Sequence, residues 1–207
     1  MNAIVRTPRA ASAGTGLEPE GYEVCVARSL NDLMQVVAVR TLVYMGEQDC
    51  PYQEEYDGND FAGATHLLLR HRGEPVGVVR LRWFADFAKL ERLAVLRAHR
   101  GRATLALIRF AIQFAERKGY RRILGHAQPR LVTFWAKHFK LQPRAGRQAF
   151  HFSDHAYVEI VAELEPGPDA LSIDSDPMVL LRPEGDWDRP GVLDRSSARA
   201  AVLAQAC

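Results

Sequence analysis

Cysteine is scarce: Cys25, Cys50 and Cys207 lie far apart in a chain of 207 residues. That spacing excludes a disulfide framework and a cysteine-based metal cluster, and it leads us to expect a reducing, cytoplasmic setting. The seven histidines show no metal-ligand spacing with cysteine or carboxylates; His151 and His155 are four apart, but a predicted turn separates them. No metal is expected. No apolar run approaches the roughly 20 residues of a membrane span, and the opening MNAIVRTPRAASAGTG lacks the continuous apolar core of a secretory signal. Charge of one sign is also missing. The formal net charge of +2 is too small to argue for nucleic acid. No internal repeat is visible.

What remains is an ordinary globular composition, 47% hydrophobic, long enough for one domain with a real core. Residues 1–21 are small, polar and Gly/Pro-containing, and read as a flexible arm. Tyr22 to Ala27 alternates like a strand, and Leu33, Val36, Val37, Arg40, Val43 and Tyr44 follow helical spacing behind a cap at Ser29. Met45 to Ala64 has no period, and a connection that long is usually functional or carries short helices. Thr65–Arg70 and Val76–Trp83 form a hairpin around Arg72-Gly73-Glu74-Pro75. Strands follow at Lys89–Val95 and Arg121–Ala127, with a helix from Ala103 to Lys118 between them. Pro129 opens a helix running to Phe139. Phe150–Phe152 and Tyr157–Leu164 read as the last strands. Residues 165–207 are an appended tail, with a short helix expected at Ser196–Gln205. Its apolar pieces, Met178–Leu181, Trp187 and Val202-Leu203, are too short to fold alone, so they are expected to dock on the domain or across a homodimer.

The stretch Lys89–Tyr120 is the most informative. Strand, basic turn and long helix make an anion site, because unpaired N–H groups and the positive dipole end converge at the helix start. Arg97, Arg100 and Arg102 add full charges. This stretch resembles the acyl-coenzyme A core of the GNAT (GCN5-related N-acetyltransferase) superfamily, whose turn Arg/Gln-x-x-Gly-x-Gly/Ala holds the pyrophosphate. Arg100-Gly101-Arg102 matches the entry; Ala103 and Leu105 stand where the family has small residues, and the Ala103 methyl is expected to narrow the approach to a phosphate. The resemblance covers residues 22–164. It implies an α/β fold with a mixed, mostly antiparallel sheet of about seven strands and helices on both faces, with the strands at 89–95 and 121–127 parallel and splayed. It also implies an N-acyltransferase that takes acetyl- or another acyl-coenzyme A, gripped at Leu93, Val95, Arg97, Arg100, Gly101, Arg102, Ala103 and Thr104. A backbone N–H near Val95 would polarise the thioester carbonyl.

Alternation places Glu91 on the face of Leu93 and Val95, where apolar neighbours would raise its pKa and suit it to general-base work; the alternative is a carboxylate paired with Lys89 or an arginine. Trp135 to Pro143 is similar to another family motif, with Ala136 in place of a tyrosine that often protonates the leaving thiolate. Water, Tyr120, His126 or His138 would then serve. Six carboxylates between Glu47 and Asp60 would draw a cationic amine, and Arg40 with Arg82 would hold a carboxylate if the acceptor is an amino acid.

A second resemblance, to acyl-homoserine-lactone and long-chain N-acyl amino acid synthases, rests on Arg40 with Tyr44, Asp57 with Asp60, Arg80 or Arg82, and Glu91 with Arg92. It implies substrate contacts at those residues and a donor on acyl carrier protein. The alternative is that Arg40 and Asp57/Asp60 form an internal salt bridge. A third reading is a GNAT-shaped domain that binds acyl-coenzyme A with little turnover. The acceptor expected in the first reading is a small-molecule amine or amino acid.

Overall fold

The computed structural model describes residues 20–152 and 154–197. The expected N-terminal arm and most of the expected helix at Ser196–Gln205 lie outside them, as do Val202-Leu203 and Cys207. Eight strands form one sheet: β1 Tyr22–Val26, β2 Thr65–His71, β3 Glu74–Trp83, β4 Ala88–Val95, β5 Arg122–Ala127, β6 Gln142–Pro143, β7 Phe150–Phe152 and β8 His155–Glu163. The spatial order is β1-β2-β3-β4-β5-β8-β6, with β7 pairing off β8. Pairing is antiparallel throughout except between β4 and β5. The strand missed in the sequence is β6; two residues are too few to show a period.

The helices are α1 Leu30–Arg40, α2 Gly46–Gln48, α3 Tyr52–Glu55, α4 Arg102–Arg117, α5 Val132–Phe139 and α6 Pro177–Leu180, with a further helical run over 192–197 at the end of the described residues. The aperiodic stretch after α1 begins with a π-helical turn over Thr41–Met45 and goes on through α2 and α3. The first helix starts at a capping box: the Ser29 hydroxyl accepts from the Asp32 N–H, and the Asp32 carboxylate accepts from the Ser29 N–H.

Both faces of the sheet are covered, which explains the unbroken apolar runs of β2 and β3. Leu67, Leu69, Val79, Leu81 and Leu90 face α4 and α5, where Leu107, Ile108, Ala111, Trp135 and Phe139 complete the main core. Leu68, Val78 and Ala94 face the other way, onto Val36 and Val39 of the first helix and Val43 of the π-helical turn. Among the described residues no helix is long and apolar enough to cross a membrane.

The tail straps the C-terminal end of α4. Trp187 is buried against Phe114 (centroids 5.1 Å apart), and the Leu171 N–H donates to the Arg117 carbonyl. Arg28–Asp186, Lys118–Glu184 and Arg117–Asp188 ion pairs flank it. Gly185 (φ +86°) passes so close to Val26 that an added Cβ would sit 2.5 Å from its side chain. Trp187→Ala is therefore expected to lower stability in urea unfolding by about 3–5 kcal/mol. Arg28→Ala, removing an exposed pair, should cost about 0–1 kcal/mol in the same assay.

Candidate active site

Strands β4 and β5 pair only through Ala88↔Ile123, Lys89↔Leu124 and Leu90↔Gly125, although they run on to Val95 and Ala127. Beyond Leu90 they part, and the gap opens toward the turn that leads into α4. That turn is Arg97–His99, a short 3-10 segment, followed by Arg100 and by Gly101 at φ +104° with open space where a Cβ would stand. No side chain caps α4, so its first N–H groups are available to an anion. Arg97 and Arg102 are exposed beside it, and the Thr104 hydroxyl is buried without a hydrogen-bond partner.

Two expectations for this turn are corrected. The Ala103 side chain is buried in the main core, so its methyl group turns away from an approaching phosphate. Arg100 folds back: its Nε donates to the Val95 carbonyl at 3.0 Å and its Nη2 pairs with Glu47. Its charge is engaged in closing the turn. The residues that fit a pyrophosphate are Arg97, Arg102, the Gly101–Thr104 backbone and the Thr104 hydroxyl.

On the face toward the first helix lies a buried ionic network. Arg80, fully buried on β3, donates from Nη1 and Nη2 to the two Asp57 oxygens (2.9 and 2.7 Å), from Nη1 to Asp60 (2.8 Å) and from Nε to Glu91 (2.8 Å). Arg40, also fully buried, pairs through Nε with Glu55 and through Nη1 with Asp60, and its Nη2 donates to the Glu55 carbonyl. Arg92 joins Glu55 and Asp57, and Lys89 Nζ lies 2.7 Å from Glu91. Four cations thus meet four carboxylates, three of them from the loop, which an Asx turn at Asp57, closed by the Asn59 N–H, helps to shape, and Glu91 from β4.

The network decides several sequence expectations. Arg40 with Asp60 is an internal bridge. The arginine at its centre is Arg80; Arg82 is partly exposed and reaches Glu91 only at 3.9 Å. The acidic loop offers little free charge, since Glu47, Glu55, Asp57 and Asp60 each hold an arginine. Tyr44 is spent on the fold: its hydroxyl donates to the Leu93 carbonyl at 2.8 Å, and burial raises its pKa.

Glu91 is also corrected. A bulge shifts the β4 register between Arg80↔Glu91 and Val78↔Ala94, so Glu91 shares the face of Ala94, opposite Val95. Burial works to raise the Asp57, Asp60 and Glu91 carboxyls. The hydrogen bonds of Arg80 on Asp57, of Arg40 and Arg80 on Asp60, and of Lys89 with Arg80 on Glu91 outweigh it and hold all three below the usual range. Glu91 therefore lacks the elevated pKa expected of a base. Burial raises Glu55 against the pull of Arg40 and Arg92.

His126 on β5 borders this face at the splayed end. Burial, then Lys89, lowers its pKa, which leaves a neutral imidazole at pH 7. Tyr120 lies at the far end of the sheet, stacked on Trp83. A cavity of about 30 Å³ sits between Tyr44, Cys50, Glu54, Arg92, Phe152 and Tyr157. The larger hollow, about 700 Å³ and lined by Lys118, Tyr120 and Arg122, is open and remote from the β4/β5 gap.

The sheet with its open parallel pair above a helix start is a fold found in known proteins. Solved structures share it: an acyl-CoA N-acyltransferase from Pseudomonas aeruginosa (TM-score 0.62, 23% identity, covering 68% of this chain and 98% of that one), and FeeM, an N-acyl amino acid synthase from uncultured soil microbes (TM-score 0.59, 10% identity, 69% and 90%). The uncharacterized N-acetyltransferase YjcF of Bacillus subtilis (strain 168) is 31% identical over 55% of this chain and 81% of its own. The model of the acetyltransferase (GNAT) family matches residues 33–139. The chain belongs to that family and is by class an acyltransferase; the family's co-substrate is acyl-coenzyme A.

Two measurements check the electrostatics. Arg80→Ala leaves buried carboxylates unmatched and should cost about 3–5 kcal/mol in urea unfolding at pH 7. Stability should also depend on pH in two windows. His66, buried on β2, and His126 both have lowered pKa values through burial. The unfolded chain therefore binds their protons first, and stability present above about 6.5 falls as pH drops below it. The lowered carboxylates add a second loss below about 4. Unfolding midpoints from pH 8 to 3 should show both, and a His66→Gln, His126→Gln variant only the lower.

Proposed function

We propose that this protein moves an acyl group from acyl-coenzyme A to the amine of a small molecule or amino acid. The observation that carries the reading is the parting of β4 and β5 beyond Leu90 and Gly125, directly ahead of an uncapped α4. Arg97, Arg102, Thr104 and the Gly101–Thr104 amides would hold the pyrophosphate, and the gap would take the pantetheine arm past Leu93 and Val95. The thioester supplies an activated acyl carbon. A β4 backbone N–H polarises its carbonyl. The amine nitrogen bonds to that carbon, the carbon–sulfur bond breaks, and the amine proton must leave.

Among the groups bordering the gap on the network face, His126 suits that last task best, because it is neutral where a base is needed. Glu91, ion-paired to Lys89 and Arg80, serves to hold them. With Ala136 lacking a donor, water returns the proton to the thiolate. The acceptor would enter beside the cavity walled by Tyr44, Phe152 and Tyr157. An acyl-coenzyme A supply fits a cytoplasmic setting. A second reading, a long-chain donor on acyl carrier protein, is favoured by one observation: the residues of the synthase resemblance, Arg40, Asp57, Asp60, Arg80 and Glu91, lie together in one network, where they pair with one another.

Calorimetry with acetyl-coenzyme A tests the donor site. Wild type should bind, and Arg97→Ala/Arg102→Ala should bind about tenfold more weakly, as expected for loss of charge-assisted contacts. No binding to acetyl- or long-chain acyl-coenzyme A, with binding to acyl carrier protein instead, would select the second reading. With an active acceptor from an amine and amino acid panel, kcat/KM should fall on the acid side below about 6.5. His126→Gln should lose that limb and about 10²–10⁴ in rate.

A further inference from the structure

β4 carries one residue more than its partner strand. Between the pairs Arg80↔Glu91 and Val78↔Ala94, the single β3 residue Val79 faces two β4 residues, Arg92 and Leu93. Arg92 takes the strain, with φ +51°, a region that costs a non-glycine residue about 1–2 kcal/mol. Its own guanidinium holds it there. Nη2 donates to the Glu54 carbonyl at 2.6 Å and to Asp57 at 3.1 Å; Nε donates to the Glu55 carbonyl at 3.3 Å and lies 3.2 Å from the Glu55 carboxylate. Beside it, the Tyr44 hydroxyl donates to the Leu93 carbonyl. The bulge therefore has two clamps, one from the loop at 54–57 and one from the π-helical turn. It lies in the part of β4 that β5 no longer pairs with.

We propose that Arg92 is a positioning residue for acyl transfer: gripped by residues 54–57, it keeps the β4 bulge in the one conformation that presents a backbone N–H to a thioester carbonyl in the β4/β5 gap. The inference rests on the acyltransferase reading above and gives the acidic loop a task other than attracting an amine. Without the clamp, β4 relieves its strain by restoring a regular ladder, and a one-residue slip turns its side chains to opposite faces and moves the donor. Three substitutions separate the contributions. Arg92→Ala loses every contact of the 54–57 clamp, leaves the Tyr44 clamp in place and keeps the strain. Arg92→Gly loses the contacts but enters positive φ freely. Arg92→Lys keeps the charge and loses the planar fork.

The test reads the carbonyl itself, so it needs no acceptor. Full-length protein is loaded with acetyl-coenzyme A carrying carbon-13 at the carbonyl, and the thioester stretch is recorded by isotope-edited infrared spectroscopy. Bound to wild type, the band should lie below its position in free solution. In Arg92→Ala it should return most of the way, while calorimetric affinity changes by less than about threefold, since the pyrophosphate grip is elsewhere. Arg92→Lys and Arg92→Gly should lie between, which keeps the comparison available if the alanine variant does not fold. A wild-type band position retained in the folded variants would overturn this inference alone. Failure of wild type to bind acetyl-coenzyme A would overturn the acyltransferase reading and this inference with it.

Discussion

Two arginines with no exposed surface constrain most of this molecule. Arg40 and Arg80 cannot shed their charge, and an unpaired guanidinium in the interior would cost several kcal/mol. Each therefore dictates where carboxylates must be. Asp57 and Asp60 have to reach Arg80, and Glu55 and Asp60 have to reach Arg40, so the aperiodic loop is drawn down onto the sheet. The same carboxylates recruit Arg92, and through it the loop acts on β4. Such a network is weak support for net stability compared with a packed apolar core, but its geometry is specific, because each guanidinium is satisfied in only one arrangement of the chain around it.

Chemistry then falls to the part of the sheet that is least tied. β4 is held by β3 along its length, while β5 leaves it after Leu90 and follows β8. The break in pairing exposes backbone in the interior of a domain, which is tolerated where another group will satisfy it. Next to it, the left-handed Gly101 turns the chain so that α4 starts without a cap. Donors on β4 and donors at the helix start thus border the same gap.

Some of this was legible residue by residue and some was not. The helix α4 was legible as a long apolar stretch behind the basic turn. The hairpin of β2 and β3 followed from its turn residues. Glu91 misled because strict alternation was assumed through Arg92. A bulge at an arginine leaves no trace in the sequence, since nothing local favours positive φ there. Arg82 and Arg80 were equal candidates on spacing; only the fold shows that Arg80 lies on the face of Val78 and meets Asp57 and Asp60. His126 carried no signal beyond being a histidine on a strand.

By itself, the sequence determined the order of the main elements, the apolar faces of most of them and the anion-seeking turn before α4, while the parallel relation of β4 and β5 came from the family resemblance. These are consequences of short-range periodicity, turn residues and capping, which act within a few positions along the chain. The tertiary structure alone decided which arginine met which carboxylate, where β4 bulged, and which arginines before α4 remained free once Arg100 had closed on Val95 and Glu47. Those outcomes join residues from five to more than fifty positions apart and depend on burial, which sets the strength of a charge and exists only once the chain has folded.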